Sequence, residues 1–272
     1  MKHLHFVSVF LIFSNFCHAQ SPWTKDKGKA YVQLGFTNLS YDKQIVNDKS
    51  VSLGSDFSDV TTQIYSEYGV TQKLEAQLII PVKFVSYKSQ VGNFSNNLSG
   101  LGNVTLGLKY KLLDKSWKIS GGLQYVANSI TKKPAIGLST GFNANTILPY
   151  LTAGSSTGKF YYFGNVGYGY MDNNYSDFAK ISAEVGYNVI PKGHIILVSD
   201  NRITASKESA FLNDTNQWSS YSDRQEYFAY GLKLNYEFIK DKFGANFATF
   251  GAFKFNNAPA TSTLNFAAYV KL

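Results

Sequence analysis

The sequence has almost no cysteine or histidine. Its 272 residues include one cysteine and four histidines, and all of them except His194 lie within the first 18 positions. That region reads as a secretory signal peptide, in which Lys2 precedes an apolar run and cleavage is predicted after Ala19. Lipidation at Cys17 is the alternative, but Phe16 stands where a lipoprotein signal needs a small residue. The mature chain is therefore predicted to contain no thiol, which excludes disulfides and Cys/His metal sites.

Long apolar runs and blocks of one charge are also missing after the signal peptide. The mean hydropathy is slightly negative, which excludes a bundle of membrane helices. Lysine and arginine number 26 against 18 aspartates and glutamates, but the cations are scattered along the chain. Because nucleic-acid binding needs a clustered basic face, it is not predicted.

Aromatic residues, in contrast, are abundant. The chain has 19 tyrosines and 21 phenylalanines against 6 prolines and 2 methionines. Transmembrane β-barrels produce this combination, since their outward residues are apolar, their inward residues are polar, and aromatic girdles mark both membrane interfaces. The composition favours an all-β protein of the outer membrane of a Gram-negative bacterium.

The clearest strand pair runs through residues 99–125. In its first arm Leu106 and Leu108 alternate with Lys109 and Lys111, and a polar turn leads to a second arm with the same period of two. A soluble sandwich or lipocalin-like barrel is the alternative, and it would place the apolar face inside. Lysine, glutamate and asparagine side chains that shared a small dry interior would be very costly unless they were paired. We predict the reverse, with the apolar face toward lipid and the polar face toward a water-filled lumen.

The same alternation recurs along the whole chain. We predict a signal peptide (1–19), a short periplasmic leader (20–28) and one transmembrane antiparallel up-and-down β-barrel of about twelve strands (29–272). The strands are expected near residues 29–41, 59–68, 74–84, 104–112, 117–125, 142–153, 160–171, 180–189, 194–204, 228–237, 243–255 and 264–272. Long polar loops are expected at residues 42–56, 87–99, 128–141 and 205–223. An even number of strands puts both termini on the side of the short turns, the periplasm.

Charged residues at alternate positions of these strands are predicted to face the lumen. They are Glu67, Glu75, Lys83, Lys109, Lys111, Lys118, Glu184, Lys233, Glu237 and Lys254. Since lysines outnumber glutamates in this set, the lumen is expected to favour anions or neutral molecules. Local pairing, for example of Glu75 with Lys109, would cancel much of that field and is the alternative.

Three stretches of the chain carry a family resemblance. The runs EYGVTQKLEAQLIIP (67–81), SGLGNVTLGLKYKL (99–112) and FYYFGNVGYGY (160–170) resemble the outer-membrane proteins of the "MetA-pathway of phenol degradation" family. Asn103 departs from the pattern, which usually has aspartate there. The resemblance implies a transporter-like barrel related to channels for hydrophobic compounds, with no catalytic residues to carry over.

Two prolines lie inside otherwise regular strands, Pro81 and Pro149. Proline removes a hydrogen bond from the strand ladder, so both positions predict a bulge or bend in the wall. In the channels that this chain resembles, a kinked strand opens the wall sideways, and the resemblance implies such a lateral exit here. A local irregularity without traffic is the alternative.

Three classes of function follow from the sequence. The first is passage of a small, hydrophobic solute across the outer membrane. The second is a structural or surface-interaction barrel without a conducting pore, whose loops at Asp42–Asp56 and Ala205–Asp223 bind partners. The third, an outer-membrane enzyme, is disfavoured because His194 has no serine or acidic partner in sequence. We predict no cofactor and no metal, with lipids, the solute and the barrel-assembly machinery as partners.

Overall fold

A computed structural model describes residues 21–46, 49–205, 221–261 and 263–272, without the side chains of residues 252–255. The predicted signal peptide, most of the predicted loop 205–223 and the side chain of Lys254 lie outside the described residues. No helix in the described part of the chain is long and apolar enough to cross a membrane.

Twelve long strands form the wall of a closed antiparallel barrel. They are β1 (Ala30–Val46), β2 (Lys49–Gly69), β3 (Leu74–Ser89), β4 (Thr105–Asp114), β5 (Trp117–Val126), β6 (Thr146–Thr157), β7 (Phe160–Met171), β8 (Phe178–Ile190), β9 (Gly193–Thr204), β10 (Glu226–Ile239), β11 (Phe243–Asn256) and β12 (Thr263–Lys271). Each strand pairs with the next in sequence, and β12 pairs with β1 to close the sheet. The predicted fold class and strand count are confirmed.

The period of two decides which side chains face outward. On β4, Leu106 and Leu108 are 54% and 53% exposed, whereas the next residue, Lys109, points to the other face and is 0% exposed. The same division holds around the barrel, so that the exposed outer surface is a belt of leucine, isoleucine, valine and aromatic side chains. Only lipid can cover such a belt without a large free-energy cost, because apolar area exposed to water costs about 25 cal/mol per Å².

The two ends of the barrel differ. At one end, called the short-turn end, connections such as residues 70–73, 158–159 and 191–192 are only two to four residues long. The other end, called the long-loop end, carries the long connections, and there two expectations were wrong. Residues 42–46 and 49–56 are not a loop but the extended ends of β1 and β2, in which Lys43–Val46 pairs with Lys49–Ser52. Residues 87–99 likewise include the end of β3 and a short strand, Ser95–Leu101, that pairs with it.

The connection between β5 and β6 folds inward instead of extending outward. It contains a two-residue ladder between Lys132–Lys133 and Leu138–Ser139, joined by a 3₁₀ turn at Pro134–Ile136. Within residues 138–144 all but Phe142 are buried, and β6 begins at Thr146 instead of residue 142. This inward loop narrows the lumen toward the long-loop end.

Candidate functional site

At the short-turn end, predicted inward charges from three neighbouring strands form a buried network. The Nζ atom of Lys109 on β4 lies 2.9 Å from Glu75 on β3 and 3.9 Å from Glu67 on β2. Tyr65 donates a 2.6 Å hydrogen bond to Glu67. Because side chains at every second position share a face, three adjacent strands bring these groups together. A buried ion pair is stable only when its remaining polar atoms are also satisfied, so the surrounding contacts matter.

The N-terminal segment, residues 21–25, supplies several of those contacts. Lys109 donates hydrogen bonds of 3.0 Å to the main-chain carbonyls of both Ser21 and Trp23. Ser120 on β5 donates a 2.7 Å hydrogen bond to the carbonyl of Pro22. A fully buried ammonium therefore holds a stretch of main chain inside the barrel.

Lys25 and Trp23 hold the same segment from its other side. The backbone N–H of Lys25 donates to Glu75 at 2.8 Å, and its Nζ lies 2.9 Å from Glu67. The ring of Trp23 packs edge-on against Phe163 on β7, with ring centroids 5.9 Å apart. The part of the predicted periplasmic leader that the structure describes at residues 21–25 thus lies inside the barrel and narrows the lumen at its short-turn end.

Two further ion pairs face the lumen. Lys83 lies 3.1 Å from Asp59, which also accepts a hydrogen bond from Tyr221. Burial raises the pKa of the Tyr221 phenol well above its ordinary value, and the Asp59 carboxylate adds to the shift. Lys233 lies 2.7 Å from Glu184. Local pairing of inward charges, the alternative considered for the lumen, is what these residues show.

The remaining predicted charges lie near the short turns instead of in the middle of the lumen. Lys111 and Lys118 both pair with the exposed Asp114, at 2.9 and 2.5 Å, where β4 turns into β5. Glu237 pairs with Lys271 near the turn between β10 and β11. At least one partner of each pair is accessible to solvent, so these pairs contribute little to stability.

Described residues line two cavities at different heights of the lumen. One of about 520 Å³ lies against the N-terminal segment and is lined by Trp23, Glu67 and Glu184 among others. The other, of about 200 Å³, lies toward the long-loop end, and its lining includes Leu148 and Phe178. The second space is named the upper cavity below.

Pro81 marks an interruption in the wall between β3 and β4. Residues 74–79 of β3 pair with β4, whereas residues 82–88 pair with the short strand Ser95–Leu101. Pro81 lies between the two ladders, and its carbonyl accepts a 2.9 Å hydrogen bond from the backbone N–H of Gly102. Since the N–H and C=O of a strand residue point to the same side, the missing N–H of proline falls on the interrupted side.

Asn103 lies beside this interruption, and its side chain binds the inward loop. Residues 102–104 belong to no strand. The Asn103 amide nitrogen donates to the carbonyls of Ala127 and Phe142, at 3.0 and 2.9 Å, and its oxygen accepts from the Phe142 N–H at 2.8 Å. A carboxylate could not donate these bonds. The amide that departs from the usual pattern therefore fastens the inward loop to the wall.

Pro149 marks a second interruption, between β6 and β7. Pro149 is paired with Leu123 on β5, but the β6–β7 ladder skips residues 148–149 while Ile147 and Tyr150 remain paired with β7. The proline side chain is exposed on the outer surface. Here too the missing N–H coincides with the side of the strand where pairing fails.

Sequence reasoning missed several lumen residues that the structure brings together. Arg202 on β9 is buried in the upper cavity, and Asp59 and Tyr221 complete the Lys83 pair. The irregular alternation of β9 concealed Arg202, although it is one of only two arginines in the chain. The inward course of residues 21–25 left no signal in the pattern, because main-chain carbonyls make many of its contacts.

His194, the only histidine in the described residues, lies just after the turn between β8 and β9. Its ring packs edge-on against Tyr161, with centroids 6.3 Å apart. Among the described residues no group of three histidine, cysteine, aspartate or glutamate side chains is arranged to hold a metal ion.

Solved structures with a similar fold are outer-membrane barrels. The COG4313 outer membrane channel from Pseudomonas putida F1 has a TM-score of 0.68 and 15% identity, covering 92% of this chain and 97% of that one. The translocator domain of the autotransporter NalP from Neisseria meningitidis has a TM-score of 0.53 and 7% identity, covering 91% and 88%. KdgM porin has a TM-score of 0.52 and 7% identity, covering 88% and 98%. No curated protein matches the chain in sequence.

A family model covers almost the whole barrel. The model described as "MetA-pathway of phenol degradation" matches residues 28–268, which include the three runs quoted above and every barrel strand, with only the end of β12 excluded. The chain therefore belongs to the MetA-pathway of phenol degradation family.

Proposed function

We propose that this barrel carries a small, predominantly apolar solute across the outer membrane and that it is not an enzyme. One observation carries the proposal. Residues 21–25 narrow the lumen at its short-turn end to the cavity beside them, while the upper cavity reaches the wall where two pairs of strands lose their pairing. The family and the fold that the chain shares with the COG4313 channel support a role in passage.

The route that this geometry favours leaves the lumen sideways. The lining of the upper cavity includes Pro81 and Asn103 at the first interruption, and Leu148 and Gly167 beside the second. A solute in this cavity is thus separated from the lipid by a wall that has fewer backbone hydrogen bonds than a continuous ladder. If the short turns face the periplasm, as predicted, the upper cavity lies on the extracellular side of the end that residues 21–25 narrow.

The free energies of the two routes differ for an apolar solute. To pass straight through, the solute must move past residues 21–25 through the cavity that Lys25, Glu67 and Glu184 line, where an apolar surface would displace the water around charged side chains. To leave sideways, it enters lipid and gains about 25 cal/mol for each Å² of apolar surface removed from water. The lateral route is therefore favoured for apolar solutes.

Replacing Pro81 tests the route. Pro81→Val restores a backbone donor at the first interruption, so we expect slower uptake of a hydrophobic fluorescent probe into cells or proteoliposomes that contain the variant, with normal insertion into the membrane. Pro149→Val tests the second interruption in the same way. Pro191→Ala, in an exposed short turn, is the matched control and should leave uptake unchanged.

The same uptake assay separates the alternative functions. A surface-interaction barrel without a pore would give no more uptake than empty liposomes, and that result would reject the proposed function. If uptake is present but equal in the wild type and in both strand variants, passage stands and the lateral route is rejected. His194→Ala should not change uptake, since His194 lies away from the upper cavity.

A further inference from the structure

The upper cavity has an unusual balance of charge for a site that would take only hydrocarbons. Its lining is mainly apolar and aromatic, with Leu148, Phe178 and Tyr227 among its members. Two cationic side chains, Lys180 and Arg202, also line it, and the described lining residues include no carboxylate. The cavity therefore combines an apolar interior with positive charge on one wall.

Arg202 is the residue that this charge depends on. It is only 9% exposed, and its guanidinium carbon lies 3.8 Å from the ring centroid of Phe178 and 5.0 Å from that of Phe142. Its Nη2 atom lies 3.2 Å from the sulfur of Met171. The Nε atom is buried and has no hydrogen-bond acceptor among the described residues. A guanidinium has five N–H donors, so most of its capacity is directed at groups that accept weakly.

The nearby carboxylates are engaged elsewhere. Asp200 is paired with Lys180 at 3.4 Å. Asp223 accepts hydrogen bonds from the backbone and hydroxyl of Ser176, at 2.6 and 2.9 Å, and lies 3.8 Å from Arg224. No carboxylate of the described residues lies within 4.0 Å of the Arg202 guanidinium, so its charge is unmatched by direct contact.

We propose that the upper cavity binds a small apolar solute that carries one carboxylate, with the carboxylate on Arg202 and the apolar body against the aromatic wall. One negative charge complements the buried Arg202 cation, which no carboxylate of the described residues contacts directly, and a planar carboxylate can accept two parallel N–H bonds from a guanidinium. A cavity of about 200 Å³ is smaller than the roughly 300–1,000 Å³ pockets of drug-sized ligands, which limits the solute to about one substituted ring. The proposal rests on the proposed function, since it names the solute class that the same cavity takes; the lateral exit then requires the protonated, neutral acid, because an ionised carboxylate is costly in hydrocarbon.

Equilibrium binding of benzoate and of benzamide to the purified full chain in detergent tests the proposal. The two ligands have nearly the same shape, but only benzoate is charged at pH 7. We expect benzoate to bind the wild type at least about tenfold more tightly than benzamide, because hydrogen bonds to charged groups exceed neutral ones by that order. Equal affinity for the two ligands, or no binding of benzoate, would overturn the proposal without any variant.

Variants locate the charge that is responsible. Arg202→Gln should weaken benzoate binding about tenfold or more and leave benzamide binding within about twofold. Arg224→Gln removes a cation of the same end of the barrel that does not line the cavity, and should leave both affinities unchanged. Arg202→Lys, which keeps the charge but loses the paired donors, gives an intermediate affinity and serves if the glutamine variant fails to fold. Benzoate binding that survives at full strength in either Arg202 variant would overturn the assignment.

The inference and the proposed function fail in different ways. Uptake of a neutral hydrophobic probe without any preference for benzoate in binding would reject the inference and leave the proposed function standing. Tight, Arg202-dependent binding of benzoate in a protein that passes no probe would support the inference and reject passage.

Discussion

Replacing Lys109 with methionine is expected to release residues 21–25 from the lumen and to open the short-turn end. Lys109 holds this segment through two 3.0 Å hydrogen bonds from its ammonium to main-chain carbonyls. Hydrogen bonds to a charged group contribute about 1.5–3 kcal/mol each. Losing both corresponds to at least about 3 kcal/mol, and since about 1.4 kcal/mol is a factor of ten, the released fraction should rise more than about 100-fold.

The same substitution also leaves Glu75 buried without its closest cation, which lies 2.9 Å away in the wild type. Removing one partner of a buried pair costs about 3–5 kcal/mol, so the variant barrel should unfold at lower urea concentration as well. Methionine keeps the length of the side chain and its apolar packing. The change in conductance can therefore be assigned to the lost charge and its hydrogen bonds.

Single-channel recording in planar bilayers measures the opening directly. The wild type should show small or rare conductance steps, and a variant that lacks residues 21–25 should show the fully open level. Lys109→Met should reach that level for much of the time. Lys83→Met removes another buried lysine, one that pairs with Asp59 and does not contact the segment, and should stay close to the wild type. If Lys109→Met conducts no more than Lys83→Met while the deletion variant is open, the reasoning is refuted.

Three further predictions concern the wall and its field. Leu108→Arg should lower the free energy of unfolding in lipid by about 2–4 kcal/mol, whereas Lys111→Gln should change it by less than about 1 kcal/mol. Urea titration of the protein inserted in liposomes checks both values. Gly186→Ala should lower the free energy of unfolding by about 1–3 kcal/mol in the same titration, because the new methyl group would overlap the ring of Tyr161 on β7. Gly164→Ala is the control, since its methyl group would meet only the Ser182 carbonyl oxygen at 3.6 Å. Equal stability of the two variants would contradict this packing. In the variant lacking residues 21–25, the reversal potential under a KCl gradient should stay near zero because the inward lysines are paired, and strong anion selectivity would show that the pairs do not cancel the field.

The sequence alone determined the fold of this protein. A period of two is a local property, so Leu106, Leu108 and Lys109 reveal their opposite faces without any knowledge of their neighbours. Repeating the pattern about twelve times, with short turns between, leaves few architectures besides a closed barrel in a membrane. The same local logic pointed to Pro81 and Pro149 as irregular positions, because the missing N–H is a property of the residue itself.

Sequence patterning is a weaker guide where strands continue without alternating hydrophobicity. Residues 42–56 have many polar side chains at consecutive positions, which is typical of a loop, yet the backbone groups of residues 43–46 and 49–52 stay paired as β1 and β2 extend beyond the apolar belt. Hydrogen bonding between main chains does not depend on side-chain polarity. The hydrophobic pattern therefore predicts strands only within the apolar belt, whereas the hydrogen-bond ladder between β1 and β2 continues beyond it.

Only the tertiary structure decided what fills the lumen. Residues 21–25 bind inside the barrel largely through main-chain carbonyls and a few charges. Because every residue has a main-chain carbonyl, such contacts cannot be recognised from residue types. The charge balance of the lumen likewise depends on which residues pair. The count of lysines indicated an excess of positive charge, but pairing across strands brings Lys109 to Glu75. Arg202 remains a buried cation that no carboxylate of the described residues contacts. Coulomb interactions fall with distance, and the distances between residues of different strands are set by how the closed sheet brings its inner faces together.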